Sequence, residues 1–210
     1  MGEDGRRIAR RLFVQVQLWN ARMSLFRDKY RIESTRLKTW DYSWPWWYYI
    51  TIVVKDRRGI FAEVVESSLE YSPLGAAVES CWRRIPEHHK GVELDEYVIM
   101  PNHLHGIVIL GEDCRDVQLN VSTKDRKVPE QNPFSSISPK KGSLSVVIRT
   151  FKAAVTTWAR ANGHSDFAWQ ERFYDHIIRN DKDLHRIRQY IANNPLKWAL
   201  DEENPPGGRH

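Results

Sequence analysis

Tyr97-Val98-Ile99-Met100-Pro101-Asn102-His103-Leu104-His105-Gly106-Ile107-Val108-Ile109-Leu110 is the stretch on which the reading of this chain turns. Two apolar runs rich in β-branched residues flank Pro101-Asn102, so the stretch predicts two strands joined by a tight turn. Side chains on a strand alternate between its faces. His103 and His105 therefore fall on one face, about 7 Å apart along the chain, while Leu104 points the other way. Two imidazoles at that spacing can grip one metal ion.

Working outward, Trp44-Pro45-Trp46-Trp47-Tyr48-Tyr49 leads into a first strand at Ile50-Thr51-Ile52-Val53-Val54. The aromatic cluster has two readings: rings that cover the edge of the core, or rings that stack on bases. Asp56-Arg57-Arg58-Gly59 reads as a turn and Phe61 to Leu69 as a short strand pair. Ser72-Pro73 opens a helix, with Ser72 as cap, and Leu74, Val78, Cys81 and Trp82 at helical spacing until about Pro86. Glu87-His88-His89-Lys90-Gly91 reads as a surface loop, because adjacent histidines on a regular element would point apart.

From Gly111 to Gly142 the chain turns polar and carries Pro129, Pro133 and Pro139, the signature of a long flexible loop. Ser143 then caps a helix with Leu144, Ile148, Phe151, Val155 and Trp158 on its buried face, leaving Arg149, Lys152 and Arg160 as exposed cations. Phe173 to Arg179 predicts a fourth strand. A last helix, about Asp181 to Asn193, buries Leu184, Ile187 and Ile191 and is stopped by Pro195. Residues 201–210 read as a frayed tail. Strand, helix, two strands, helix, strand, helix is the order of an α+β sandwich, an antiparallel sheet with helices on one side, rather than a doubly wound parallel sheet.

The chain has 210 residues, 41% of them hydrophobic and 28% charged, which suits one soluble domain with extensions. No long uncharged apolar run and no signal-peptide pattern occur, so the expectation is a cytoplasmic protein that does not enter a membrane. Cys81 and Cys114 are too few for a disulfide scaffold or a zinc cluster. The net charge of +5 is concentrated in the first 40 residues, where ten basic side chains face four acidic ones. Residues 1–45 therefore read as a basic extension, suited either to phosphate contacts or to solubility, and 46–200 as the domain proper.

On the last helix Arg186, Tyr190 and Asn194 recur every four residues and share a face, read as roughly opposite to Leu184 and Ile191. That spacing is common and by itself equally describes packing. Taken together, Tyr97 to Gly106, Trp169-Gln170-Glu171-Arg172-Phe173-Tyr174-Asp175-His176-Ile177-Ile178-Arg179 and Tyr190-Ile191-Ala192-Asn193-Asn194-Pro195-Leu196-Lys197-Trp198 resemble the HUH-type single-tyrosine transposases, and within them the REP-associated class of the IS200-like family. The likeness extends over roughly residues 31 to 200, taking in Asp41-Tyr42-Ser43 and the Leu144 to Val155 helix. It implies an RRM-like, or ferredoxin-like, fold. It also implies His103 and His105 as the metal-binding pair, Tyr190 as the nucleophile, and Asn194 as the amide that completes a magnesium or manganese site. The implied substrate is single-stranded DNA carrying a palindromic, REP-like hairpin, cut to leave a 5′-phosphotyrosine, with a homodimer as one form in which such enzymes act.

Arg149, Lys152, Arg172 and Arg179 are the candidate phosphate contacts, against a solvated basic face as the plain reading. His176 is placed between a role at the site or on DNA and a structural one. Two other functions compete. A domesticated relative would hold DNA or RNA hairpins without cutting them, and a His-x-His hydrolase would act on a small molecule through zinc-bound water.

Overall fold

A computed structural model describes residues 37, 40–66, 68–114 and 140–198. Most of the basic extension, the tail and residues 115–139 of the long loop lie outside these. The central strand β1, Trp46–Val53, starts four residues earlier than the β-branched run suggests, because the aromatic residues pair as well as the aliphatic ones. After it come the ribbon strands β2 (Ala62–Val65) and β3 (Ser68–Tyr71), then helix α1 (Pro73–Arg83) and a short helix α2 (Ile85–His88). The hairpin β4 (Val92–Ile99) and β5 (His103–Leu110) follows, then helix α3 (Leu144–Ala161), β6 (Tyr174–Ile177), helix α4 (Asp181–Ala192) and a final helical turn α5 (Asn194–Lys197).

Four strands form one antiparallel sheet in the order β4-β5-β1-β6. Alternation along β1 sends Tyr48, Ile50 and Ile52 into a large apolar cluster that also receives Leu74, Val78 and Trp82 of α1 and Leu144, Val147, Ile148, Phe151 and Val155 of α3. Tyr49 belongs to a second cluster with Val98, Met100, Ile107 and Tyr174, covered by Ile187 and Ile191 of α4. Helices therefore cover both faces, not one. The reason lies in β5, whose residues are buried on either side along nearly all its length and need cover on both.

Local sequence explains most element ends. Ser72 Oγ accepts from Gly75 N at 3.0 Å, with Pro73 in the first turn. Ser143 stands at the N-cap of α3 with extended backbone but makes no side-chain cap bond, its hydroxyl being buried without a partner. The fourth strand is shorter than expected, since Asn180 Oδ1 accepts from Asp183 N and starts α4, leaving Arg179 exposed. Residues 40–42, read from sequence as extension, pack on the domain: Trp40 and Tyr42 lie against the larger cluster and Trp40 Nε1 donates to Tyr48 Oη at 3.2 Å. The aromatic stretch thus largely covers the core edge, although Trp44 and Trp46 remain exposed.

Candidate active site

The β4-β5 turn is held from below by the chain that follows β1. Pro101 O accepts from both Ile60 N and Phe61 N at 2.9 Å, Asn102 O accepts from Val54 N at 2.9 Å, and Met100 N donates to His103 O at 2.8 Å. This lacing fixes where β5 begins and so where His103 points. His103 lies opposite Val53 and His105 opposite Thr51, which on its other edge faces Tyr174. Gly106 serves the opposite face: a Cβ there would sit 2.5 Å from Trp82 Cζ2, so only glycine leaves room for the indole on the side of the strand away from the histidines.

The two imidazoles converge, with Nε2 to Nε2 at 3.0 Å. Both residues are almost fully buried. Burial, helped by the charge of Arg57, pushes the pKa of His103 down to about 3, and burial beside His103 holds His105 well below the usual value. Both rings are neutral at pH 7, the form that ligates a cation. His103 Nδ1 contacts Asn102 Oδ1 at 2.8 Å, and His105 Nδ1 contacts Tyr49 Oη at 2.8 Å and Thr51 Oγ1 at 2.9 Å.

Tyr190 reaches this pair within the same chain, its Oη 3.5 Å from His105 Nε2 and its ring edge-on to those of His105 and Tyr49. It is half-buried, not walled off. Its face of α4 turns toward the sheet, contrary to the sequence reading, because three residues after Ile187 is still within the apolar stripe. Arg188 Nη2 and Nε bond Asp95 Oδ2 at 2.6 and 2.9 Å and tie α4 to β4. Asn194 is not on the same helix as Tyr190. The helix breaks at Asn193 and Asn194 opens α5, with Pro195 in its first turn. Asn194 is 3% exposed and its Oδ1 has no protein partner. Four residues on, the Trp198 ring packs on His103 at 5.9 Å, so Asn194 sits in the segment between a contact to His105 and a contact to His103.

An unpartnered buried carbonyl is costly in a folded protein unless something supplies it with a positive partner. Two neutral imidazole nitrogens, and separately a buried amide oxygen, are donors of the kind a divalent cation takes. Among the described residues no cluster of three or more His, Cys, Asp or Glu side chains offers an alternative metal site.

No family model matches the chain. A protein of Haemophilus influenzae (strain ATCC 51907 / DSM 11121 / KW20 / Rd), itself uncharacterised, is 37% identical over 170 residues, 80% of this chain and 91% of that one. A second protein of that organism, named by inference a REP-associated tyrosine transposase, is 24% identical over 155 residues, 74% of this chain and 73% of its own length. The chain belongs to the REP-associated tyrosine transposase family. A transposase-like, DNA-processing role comes with that membership. Among solved structures, a REP-associated tyrosine transposase bound to a REP hairpin overlays at a TM-score of 0.48 with 20% identity, over 79% of this chain and 73% of that one. A transposase, so named by inference, of Deinococcus radiodurans R1 overlays at 0.37 with 14% identity, over 75% and 97%. Both overlays are loose, and the membership stands on the sequence relatives.

The candidate DNA contacts of this family member separate once placed. Lys152 is not an exposed cation: its Nζ donates to Gln170 O at 2.7 Å and Arg172 O at 2.8 Å, and burial lowers its pKa to about 8. It is a strut between α3 and the segment before β6. Arg149 and Arg179 are exposed and Arg172 is half-buried. His176 pairs across the sheet with Tyr49 and meets Asp183 Oδ2 at 2.9 Å, which ties β6 to α4. Sequence reading passed over Asn102, Tyr49 and Thr51. A polar residue abutting the His-x-His pair, and two hydroxyls two positions apart on a strand, were the available signals.

Among the described residues no helix is long and apolar enough to cross a membrane.

Proposed function

We propose that this protein is a single-stranded DNA endonuclease and strand-transferase that nicks near the foot of a hairpin through Tyr190. The observation that carries the reading is the approach of the Tyr190 hydroxyl to 3.5 Å from one of two imidazoles that already meet at 3.0 Å, all in one chain. His103, His105 and the orphaned Oδ1 of Asn194 would hold magnesium or manganese. Bound there, such an ion supplies Lewis-acid charge to the non-bridging oxygens of a phosphodiester.

The residues of the chain do the rest. Tyr190 Oη attacks phosphorus, the Oη–P bond forms, and the bond from phosphorus to the 3′-oxygen breaks. The phenol proton passes to solvent and the leaving oxygen takes one up as a 3′-hydroxyl. Because the phosphodiester is exchanged and not hydrolysed, attack by a 3′-hydroxyl on the 5′-phosphotyrosine reverses the step and joins strands. Tyr49, whose ring meets that of Tyr190 edge-on, helps set the angle at which the phenol meets the pair. Because the Tyr190 hydroxyl and both imidazoles meet within one chain, the tyrosine is proposed to act on the histidines of its own protomer. Exposed Arg149 and Arg179 and half-buried Arg172 are proposed to meet backbone phosphates.

Incubation with a hairpin-bearing single strand and manganese should yield a covalent protein–DNA adduct on denaturing gels. Tyr190→Phe should reduce it by at least about a thousandfold, in line with loss of a covalent nucleophile. Undiminished adduct in that variant would reject Tyr190; hairpin binding with no adduct under any divalent ion would favour a holding protein instead.

A further inference from the structure

The two imidazoles differ in what holds their outer nitrogens. Asn102 Nδ2 donates to the carbonyl of Arg57 at 2.9 Å, and Asn102 Oδ1 contacts His103 Nδ1 at 2.8 Å. A carbonyl only accepts, so the NH2 end of the amide must face Arg57 and its oxygen must face His103. That oxygen also only accepts, which puts the hydrogen of His103 on Nδ1 and its lone pair on Nε2. Flipping the amide would set two oxygens against each other. Arg57 itself adopts φ 53°, a left-handed conformation disfavoured for a residue with a Cβ, in the turn that presents this carbonyl. Asn102 is fully buried.

His105 is held otherwise. Its Nδ1 meets two hydroxyls, Tyr49 at 2.8 Å and Thr51 at 2.9 Å, and each can donate or accept by rotation. Thr51 Oγ1 also donates to Tyr49 Oη at 3.3 Å, so the pair can reorganise as a unit.

We propose that Asn102 is a positioning residue that locks His103 in its Nδ1–H tautomer, whereas the Tyr49 and Thr51 hydroxyls let His105 take either tautomer. At rest, His105 Nε2–H donates to the His103 Nε2 lone pair across the 3.0 Å gap. When a cation takes both Nε2 lone pairs, one hydrogen leaves His105 Nε2 and one arrives at Nδ1, and the hydroxyls turn to accept it. The net protonation does not change. This second half rests on the reading of the pair as a cation site; the Asn102 lock does not.

Two-bond 1H–15N correlation on histidine-labelled, metal-free full-length protein reads each tautomer directly. The expected result is hydrogen on Nδ1 of His103 and on Nε2 of His105. Asn102→Leu, which removes both the acceptor for His103 and the donor to Arg57, should give up the single His103 tautomer for a mixture. Hydrogen on Nε2 of His103 in the wild type, or an unchanged pattern in folded Asn102→Leu, would overturn the lock; if that variant does not fold, the wild-type spectrum decides alone. Addition of magnesium should move His105 to Nδ1–H and leave His103 unchanged. No response at either Nε2 strikes the cation reading and leaves the lock standing, while a tautomer change at His103 overturns the lock.

Discussion

The two faces of the sheet are built from the same strands and do different work. Among the described residues, twenty-three buried ones join the cluster beneath α1 and α3, against eight on the face beneath α4. The first face is sealed by aliphatic and aromatic side chains, down to a glycine, Gly106, whose missing side chain leaves room for Trp82. The second places His103, His105, Tyr49 and Thr51 side by side under one twelve-residue helix. The difference teaches that the large face supplies the stability and the thin one can tolerate a polar interior. A helix with few apolar anchors opens more readily than the core it covers, as the proposed attack of Tyr190 on DNA requires.

That division can be broken experimentally. Trp82→Ala empties the largest fully buried side chain among the described residues of the sealed face and should cost about 3–5 kcal/mol, read as a fall in urea midpoint with m unchanged. A loss under about 1 kcal/mol would mean that the scaffold lies elsewhere. Next in size is the Lys152 strut. Its folded pKa of about 8 lies below the ordinary lysine value of 10.5, so between these the unfolded chain keeps a proton that the folded chain has released. Stability relative to Lys152→Met should therefore rise with pH through that window, by up to about 3 kcal/mol. A flat difference would place the ammonium in solvent. Smallest is the tie between α4 and β4: Arg188→Ala should cost about 0.2–1 kcal/mol globally yet speed amide exchange along α4 alone. Exchange rising equally in β1 would deny the helix its independence.

Much of the fold could be read in advance because its signals are local. The β-branched runs of β4 and β5, the Ser72-Pro73 cap and the apolar stripe of α3 each depend on neighbours a few residues away. The histidine pair and Tyr190 were legible for the same reason, as a strand alternation and a motif. What remained hidden depends on register. Thr51 and Tyr49 meet His105 across 54 and 56 residues, and Lys152 finds its carbonyls 18 and 20 residues on, in a segment with no periodicity. The second helical layer escaped notice because a strand with two histidines on one side does not look buried on both. Asn194 was named by motif, and the helix end near Asn193 was read from Pro195; what escaped notice is that Asn194 opens a new helical turn with Pro195 inside it, because a proline that stops one helix also suits the first turn of the next.

The account stands on a phenol and two imidazoles of the same protomer forming one site. Mixing two inactive variants, Tyr190→Phe and His105→Ala, and assaying adduct formation on a hairpin-bearing single strand tests this most directly. A site made within one chain predicts no adduct at any ratio of the two. Adduct restored toward a quarter to a half of the wild-type level would show the tyrosine of one protomer working on the histidines of another, and would contradict it.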